Sequence, residues 1–526
     1  MLAKKGYKSI TVLDRLPPPE GAQDEKVWSD AARHYLVGLG GRGQRALDSI
    51  GCWDNVVEPL CSTCVGRKDW SPGSGVDEGV QRIFTDRPYL TRVIPRDRMV
   101  ACLYEYVKST YSDAIEIQHG VEVEAVEWSN EGDDRSEVAI LKCKPCAAGA
   151  DDDECAATTE PFERRTTLLI GADGTRRTIA NAMEADDAMR GRFGLRKFKV
   201  KRFEDTSVRV YKTVPLEFPA DWRRDINYSC RTKTVNFDAL PTLDGKYCGV
   251  LLIKPDDVAA QSLPDVAAAR EYMDSTLPMF SPAISDDALS QIIAKPPSRL
   301  PVFRYVGPRL HRGTSTALLG DAIHTVKPYF GLGVNSAFED VSVLSEALDQ
   351  HESLGAALQT YSSRRAPEAR ALVELSRSFD RSGLLAFFTF ILPLILDGIF
   401  HGALPKVFAP NTLAMLQKVD VTFEQIRWRK RLDRAAQVIL LGVAGTTISK
   451  LVINGVRFVT QLVLGKLGGS AFIVSAPRWL TTAVPFAAVF AVALRMRLKV
   501  GKDVADVLAA QKDNGLTKAD EQPKPA

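Results

Sequence analysis

Over residues 8–14 (KSITVLD) a β-branched apolar run ends in an acid, which predicts a strand. Before it, Leu2-Ala3-Lys4-Lys5-Gly6-Tyr7 reads as the end of a helix closed by glycine. Residues 137–143 and 166–173 predict two more strands, with the small, acidic stretch 147–159 as an exposed loop between them. Across residues 206–254 three runs alternate apolar and polar positions (SVRVYKTV, KTVNFDAL, YCGVLLI) and predict an antiparallel sheet, a second domain covering a substrate. Residues 317–348 return to strand, loop and helix, and from Ala366 the pattern is helical to about Arg434. Two apolar runs follow, 438–448 and 479–494, each shorter than the roughly 20 residues of a full span. Basic residues flank them, at 427–434 before and at Arg495, Arg497 and Lys499 after. This favours membrane attachment, as one or two spans or an interfacial hairpin, over a buried helical pair. Beyond Lys502 the chain is polar and expected to be disordered.

A chain of 526 residues, 45% of them apolar, has ample core for two or three domains. A net charge of +3 on that length gives no support to a nucleic-acid partner, which would want a concentrated basic patch. The nine cysteines are scattered and odd in number, with no targeting peptide before them, and read as reduced thiols. The pairs Cys61/Cys64 and Cys143/Cys146 lie too far apart for a compact zinc ribbon, and the six histidines show no metal spacing, so no metal is assigned.

Two motifs carry chemistry. Leu319-Gly320-Asp321-Ala322-Ile323-His324 continues into Pro328-Tyr329-Phe330-Gly331-Leu332-Gly333-Val334-Asn335. A strand delivers Gly320 and Asp321, the glycine allows close backbone approach, and the PxxGxG turn opens a helix near Val334 whose free N–H groups favour negative charge. Leu169-Ile170-Gly171-Ala172-Asp173-Gly174-Thr175-Arg176-Arg177 is an apolar strand ending in Gly-Ala-Asp-Gly and then basic residues. Asp14, at the end of the first predicted strand, stands where the second strand of a βαβ nucleotide unit carries its ribose-binding acid, about 20 residues after a GxGxxG loop. That places the glycine loop and first strand before Met1, and an incomplete N-terminus is expected. Gly38-Leu39-Gly40-Gly41-Arg42-Gly43 matches GxGxxG literally, but no strand ending in an acid follows, so it reads as a turn before a helix.

Together these motifs resemble the class A flavoprotein monooxygenases, the para-hydroxybenzoate hydroxylase superfamily. Ala32-Arg33-His34-Tyr35-Leu36-Val37-Gly38-Leu39 with Arg42-Gly43, Pro95-Arg96-Asp97-Arg98-Met99, Ala239-Leu240-Pro241, Glu374-Leu375-Ser376 and Val421-Thr422-Phe423 resemble segments of kynurenine 3-monooxygenases. The resemblance covers roughly residues 1–450 and, as in eukaryotic members, ends in a membrane-anchoring tail. It implies FAD as cofactor, NADPH as co-substrate, O2, and hydroxylation of a small aromatic substrate through a C4a-hydroperoxyflavin. No side chain is then required as a catalytic nucleophile. Carried over, the cofactor contacts are Asp14, Arg15, Arg33, Arg96, Asp173, Gly174, Gly320, Asp321, Pro328, Gly331, Gly333, Val334 and Asn335. Arg67 falls where the family grips a substrate carboxylate, a task that suits a guanidinium fork. Tyr329 and Phe330 would wall the substrate ring.

The implied fold is α/β. A Rossmann-like FAD-binding domain spans 1–200 and 301–365, and an antiparallel-sheet substrate domain 201–300. A helical region follows at 366–434, then a membrane-associated hydrophobic region at 435–500 and a disordered tail at 501–526. The family's location, the mitochondrial outer membrane, is written in no residue here. Leu332 stands where the family has glutamine, Phe379 where it has a substrate-binding asparagine, and no match to its substrate-binding tyrosine stands near 76–86. Losing polar partners for an amino-acid head group discriminates strongly, so a more apolar or differently charged aromatic than kynurenine stays open. Two rivals remain: a membrane flavoprotein epoxidase or reductase of a lipid-like substrate, and a degenerate, non-catalytic flavoprotein.

Overall fold

In a computed structural model, the structure describes residues 1–466 apart from 29–34, 86, 132–135, 147–159, 192–196, 206–207, 233–234, 255–256, 258–259, 261–262 and 382–385. The predicted loop 147–159, the second apolar run and the polar tail fall outside the described residues. The chain divides into two compact units, Met1–Leu392 with Leu413–Arg427, and Pro393–Thr412 with the chain from Trp428.

In the first unit, Gly6 closes a single 3-10 turn, Ala3–Lys5, by adopting φ 87° and donating its N–H to Ala3 O. The predicted first strand forms as β1 (Ile10–Asp14). β2 (Leu36–Leu39) runs into α1 (Gly41–Ser49), so the literal GxGxxG is a strand–turn–helix. β3 (Gly66–Trp70), β4 (Thr91–Pro95), α2 (Arg96–Thr110) and β5 (Ile115–His119) follow. β1 pairs with β5 in parallel, whereas β2 pairs antiparallel with β4, which marks β2 as no part of a parallel nucleotide-binding sheet.

The GADG strand, β6 (Leu169–Gly171), leads to α3 (Thr178–Met189). The alternating runs form β7 (Val210–Leu216), β8 (Ile226–Arg231), β9 (Val235–Pro241) and β10 (Tyr247–Ile253). β11 (Thr316–Leu318) pairs in parallel with β6, then α4 (Leu332–Gln350) and α5 (Leu354–Ser378) follow. A core containing Ile179, Leu318, Leu344, Leu358 and Tyr361 packs this parallel pair against its helices.

The alternating runs lie in a seven-stranded sheet ordered Ser298–Arg299, β7, β10, β9, β8, β3, Val80–Ile83. Two of its strands therefore come from before residue 100. Period-two alternation puts Val214, Phe237, Tyr228 and Trp70 on one face, where they pack with Met273, Leu289 and Ile292. Those last residues belong to helices Val266–Thr276 and Asp286–Ala294, whose first turns are capped by the Asp265 and Ser285 side chains.

The single helical stretch expected from Ala366 to Arg434 is broken. α5 ends at Ser378, and a helix Leu392–Ala403 and a short turn Thr412–Leu416 precede α6 (Phe423–Lys466). The first apolar run, 438–448, lies inside α6, so it belongs to a much longer helix than the run suggests. In the second unit, buried Asp397 meets Lys430 at 3.2 Å and Arg434 at 2.6 Å, tying Leu392–Ala403 to the base of α6.

Among the described residues seven cysteines are free and buried, and burial pushes the thiols of Cys61 and Cys102 up to about 12 and about 11, leaving them protonated at neutral pH. Cys146 departs from the expected reduced set, being disulfide-bonded.

Candidate active site

The two motifs meet through Arg177. It takes a left-handed backbone, φ 58°, and buries its guanidinium. Nε donates to Ala322 O at 3.2 Å and Nη2 to Asp321 O at 2.5 Å and to Thr325 Oγ1. The GADG loop is thus stapled to the Gly320–Ala322 turn. Burial, foremost, and nearby Arg304 lower this guanidinium to about 10, so at neutral pH it stays charged.

Asp173 accepts from Ile179 N at 3.2 Å through one oxygen, while its other oxygen is buried with no partner among the described residues. Burial raises its carboxyl above the ordinary range. Gly174 (φ 63°) turns the chain away behind it. Asp14 is exposed at the tip of β1 and accepts from Leu16 N at 2.9 Å. Next to it, Arg15 lies near enough to Arg176 to depress that guanidinium, although burial is the larger cause. The ends of β1 and β6 therefore bring two cations near one another, with Arg176 also ion-paired to Glu122.

Gly320 (φ 62°) donates its N–H to Asp340 at 2.9 Å. Asp340 is fully buried and also takes His324 Nε2 at 3.0 Å and Arg365 Nε at 2.7 Å. Burial opposes its charge, but Arg365 and His324 more than offset that and hold the carboxyl below its usual value. Asp321 is exposed, and desolvation by the protein packed around it pushes its carboxyl up.

Pro328 starts a 3-10 turn and Gly331 (φ 62°) ends it and opens α4. Among the described residues no side chain caps α4, so the first-turn N–H groups of Leu332, Gly333 and Val334 are left for an anion. Asn335 is committed elsewhere. Its Oδ1 accepts from Gly40 N (2.8 Å) and Gly43 N (3.2 Å), and its Nδ2 donates to Gly38 O (2.9 Å) and Gly331 O (2.6 Å). With its four hydrogen bonds spent, Asn335 clamps the Gly38–Gly43 turn to α4.

Of the remaining expected contacts, Arg33 lies outside the described residues. Arg96 is exposed and holds neighbouring Asp97 at 2.9 Å, but its backbone N–H bonds Tyr35 O, placing it beside β2. Arg67 lies on β3 and gives Nε to Asp69 at 2.8 Å, so its charge is already matched.

No sequence motif marks the second face of the large sheet. Register aligns Asn227 with Arg67, and Ser229 with both Asp238 and Asp69, so polar side chains share the face opposite the core. Burial raises the Asp238 carboxyl despite Arg231 and Arg67 nearby. The same carboxyl helps raise the Tyr35 hydroxyl, though burial is the larger cause. Tyr35 meets Tyr211 edge-on, at 5.8 Å between centroids. The signal available in the sequence was Asn236 and Asp238 alternating with Val235, Phe237 and Ala239.

The Arg209 guanidinium lies 6.0 Å from the centre of the Tyr329 ring. The Tyr329 hydroxyl donates to Asp380 at 2.6 Å; Asp380 binds Lys327 at 2.8 Å, and Lys327, buried, binds Asp205 at 2.9 Å. Burial and then Asp380 raise the Tyr329 hydroxyl. The Phe330 backbone completes the turn. Phe379 packs on Phe390, centroids 5.1 Å apart, so the polar partner at this helix end is the next residue, Asp380. An open concavity lined by Glu217, Lys246, Tyr247, Ser285 and Asp287 includes none of these residues.

The donor and acceptor set fits a dinucleotide carrying a flavin: an uncapped helix N-terminus, an orphaned carboxylate oxygen, and cations between two strand ends. Residues 156–376 match the FAD binding domain family. The chain is 27% identical over 383 residues to kynurenine 3-monooxygenase of Salinispora arenicola, covering 71% of this chain and 74% of that one. The enzyme of the same name from Salinispora tropica is 26% identical over 386 residues, with 71% and 75% covered. In fold, the chain is similar to 2-methyl-3-hydroxypyridine-5-carboxylic acid oxygenase, with TM-score 0.52, 17% identity, and 74% of this chain and 91% of that one covered.

Proposed function

We propose that this chain, which carries an FAD binding domain match and is similar to kynurenine 3-monooxygenases, is a class A FAD-dependent monooxygenase that hydroxylates a polar aromatic substrate with NADPH and O2. FAD, when bound, supplies the oxygen chemistry. The chain's own residues bind and orient. The α4 N-terminus would face the flavin and its pyrophosphate, Asp321 the ribityl chain, Asp173 the pyrophosphate side, and Asp14 with Arg15 the adenosine end. The observation that carries this reading is the junction made by Arg177, which sets the GADG loop against the Gly320–Ala322 turn.

The substrate would lie between the Pro328–Phe330 turn and the polar face of the sheet. Arg67, Asp69 and Asp238 on that face support a polar aromatic over a lipid. The pairing of Arg67 with Asp69 supports a head group other than a free carboxylate at that point, in line with Leu332 and Phe379 in place of the family's amides. A panel of aromatic acids, amines and phenols, screened for stimulation of NADPH oxidation and for a product one oxygen heavier, tests this. No stimulated oxidation and no oxygenated product from any compound would refute it.

Membrane attachment through α6 is the second part of the proposal. Phe423–Gln461 is long and apolar enough to cross a membrane, with mean hydropathy 1.7 and 17% of its apolar window buried. Val438, Ile439, Leu440, Val443, Leu451 and Val452 are all exposed, so apolar side chains run round the helix rather than along one stripe. A helix apolar on every side belongs in a core or a bilayer.

A further inference from the structure

We propose that Lys201, Phe203, Tyr305 and Arg377 form an open platform that binds the adenosine 2′-phosphate of NADPH. The inference rests on the monooxygenase reading, which makes NADPH the co-substrate. It uses residues to which the flavin and substrate contacts above give no part.

The platform follows from strand register. Strands Lys199–Arg202 and Arg304–Gly307 pair antiparallel, with Val200 opposite Val306 and Lys201 opposite Tyr305. Val200 and Val306 are buried in the core, so period-two alternation puts Lys201, Phe203 and Tyr305 on the outer side. Phe203, just past its strand, is held by its N–H to Phe303 O at 3.2 Å. The Phe203 and Tyr305 rings are half-buried, with centroids 5.9 Å apart. Arg377, in the last turn of α5, sets its guanidinium 3.8 Å from the Phe203 ring centre, and Lys201 Nζ lies 5.8 Å from that centre.

The charge on this platform is unmatched. Glu374 holds Arg370 at 2.7 Å and Arg427 at 2.8 Å, and Asp380 holds Lys327 at 2.8 Å and the Tyr329 hydroxyl at 2.6 Å. Asp205 also holds Lys327, at 2.9 Å. Among the described residues Arg377, Lys201 and exposed Arg381 have no ion pair, and the one acid of this stretch without a partner is exposed Glu204. Burial and then Arg381 lower the Arg377 guanidinium, as expected of cations gathered without acids. A guanidinium laid on a ring keeps its N–H edges fixed and open, which suits phosphate oxygens. A phosphate monoester carries about −1.5 to −2 charge near neutral pH, enough to match Arg377 and Lys201 together. Tyr305 offers a ring on which the attached adenine can stack. An open platform suits a co-substrate that must bind and leave at each turnover.

The test uses the full chain in detergent with added FAD. Adenosine 2′,5′-bisphosphate, adenosine 5′-monophosphate and inorganic phosphate are titrated by calorimetry. The bisphosphate is expected to bind about tenfold tighter than the monophosphate, the value of charge-assisted hydrogen bonds to one phosphate, with the gap narrowing as salt is added. Arg377→Gln should erase the gap and leave the monophosphate unchanged. Lys201→Gln, on the exposed strand face, should narrow it about threefold and covers the case in which the Arg377 variant does not fold. Equal affinity for the two nucleotides, a gap that survives both variants, or inorganic phosphate competing as well as the bisphosphate would overturn the platform. Flavin reduction by NADPH and by NADH is followed on the same samples. Arg377→Gln should raise the NADPH concentration for half-maximal rate about tenfold, with the maximal rate and the NADH response unchanged. Flavin reduction by NADPH that ignores Arg377→Gln would keep the monooxygenase reading and sink the platform. An Arg377-dependent gap in protein whose flavin neither nucleotide reduces would do the reverse.

Discussion

Asp340 and Asp238 are both deeply set carboxyls, yet they answer pH in opposite senses. Asp340 is held below its usual value by Arg365 and His324, against burial. It therefore adds stability at pH above the ordinary carboxylate value, and that stability is lost as pH falls through its lower folded value. Replacing it with alanine leaves Arg365 without its main partner and is expected to cost about 3–5 kcal/mol near neutral pH, read from chemical denaturation. Asp238 is raised by burial, so its contribution is full only in acid and disappears as pH rises through the folded value. Asp238→Asn should raise the melting temperature at pH 7 and give no gain at pH below the ordinary carboxylate range. An unchanged or lower melting temperature at pH 7 would show that the carboxylate is well paired. Gly43 tests the clamp between α1 and α4. A Cβ there would stand 2.4 Å from Asn335 Oδ1, so Gly43→Ala should destabilise by about 1–3 kcal/mol, whereas a neutral effect would mean Asn335 can turn aside freely.

At the level of elements, the legible ones were those with a local pattern. β1 followed from the β-branched KSITVLD run, β7, β9 and β10 from the runs SVRVYKTV, KTVNFDAL and YCGVLLI, and α4 from its glycine turn. What stayed hidden depends on partners far along the chain. β3, sequence GRKDW, has too few apolar positions to alternate clearly, and joins the large sheet only by pairing with β8 about 160 residues later. Arg177 was visible as a basic residue after GADG, but its left-handed backbone and its bonds to Asp321 and Ala322 needed the fold. The start of α6 is set locally by a capping box, Thr422 Oγ1 accepting from Gln425 N at 3.2 Å and Gln425 Oε1 from Thr422 N at 3.0 Å, and also from a distance. Glu368, on α5, accepts from Phe423 N at 2.6 Å and Glu424 N at 3.0 Å, a carboxylate cap on a helix N-terminus. Glu368→Ala is expected to cost about 1–2 kcal/mol in denaturation, and no change would mean the Thr422–Gln425 capping box alone holds the helix start.

For the molecule as a whole, the proposed work is divided between the first unit, which holds every described candidate site residue, and α6, most of which belongs to the second. If α6 enters a bilayer, the full chain should float with lipid vesicles in a density gradient at high salt. The pair Val443→Arg and Val452→Arg should largely abolish flotation, since each arginine near a span's centre costs about 2.5–3.5 kcal/mol. Flotation unaltered by both would place the contact elsewhere. The junction of the GADG loop with the Gly320–Ala322 turn is proposed to hold a flavin. The most direct measurement is the visible spectrum of the protein purified in detergent from the cells that make it, with identification of any chromophore released on denaturation. Flavin absorbance and released FAD, both lost when Arg177→Ala is expressed in its place, are the expected result. Protein that is folded and colourless would contradict it.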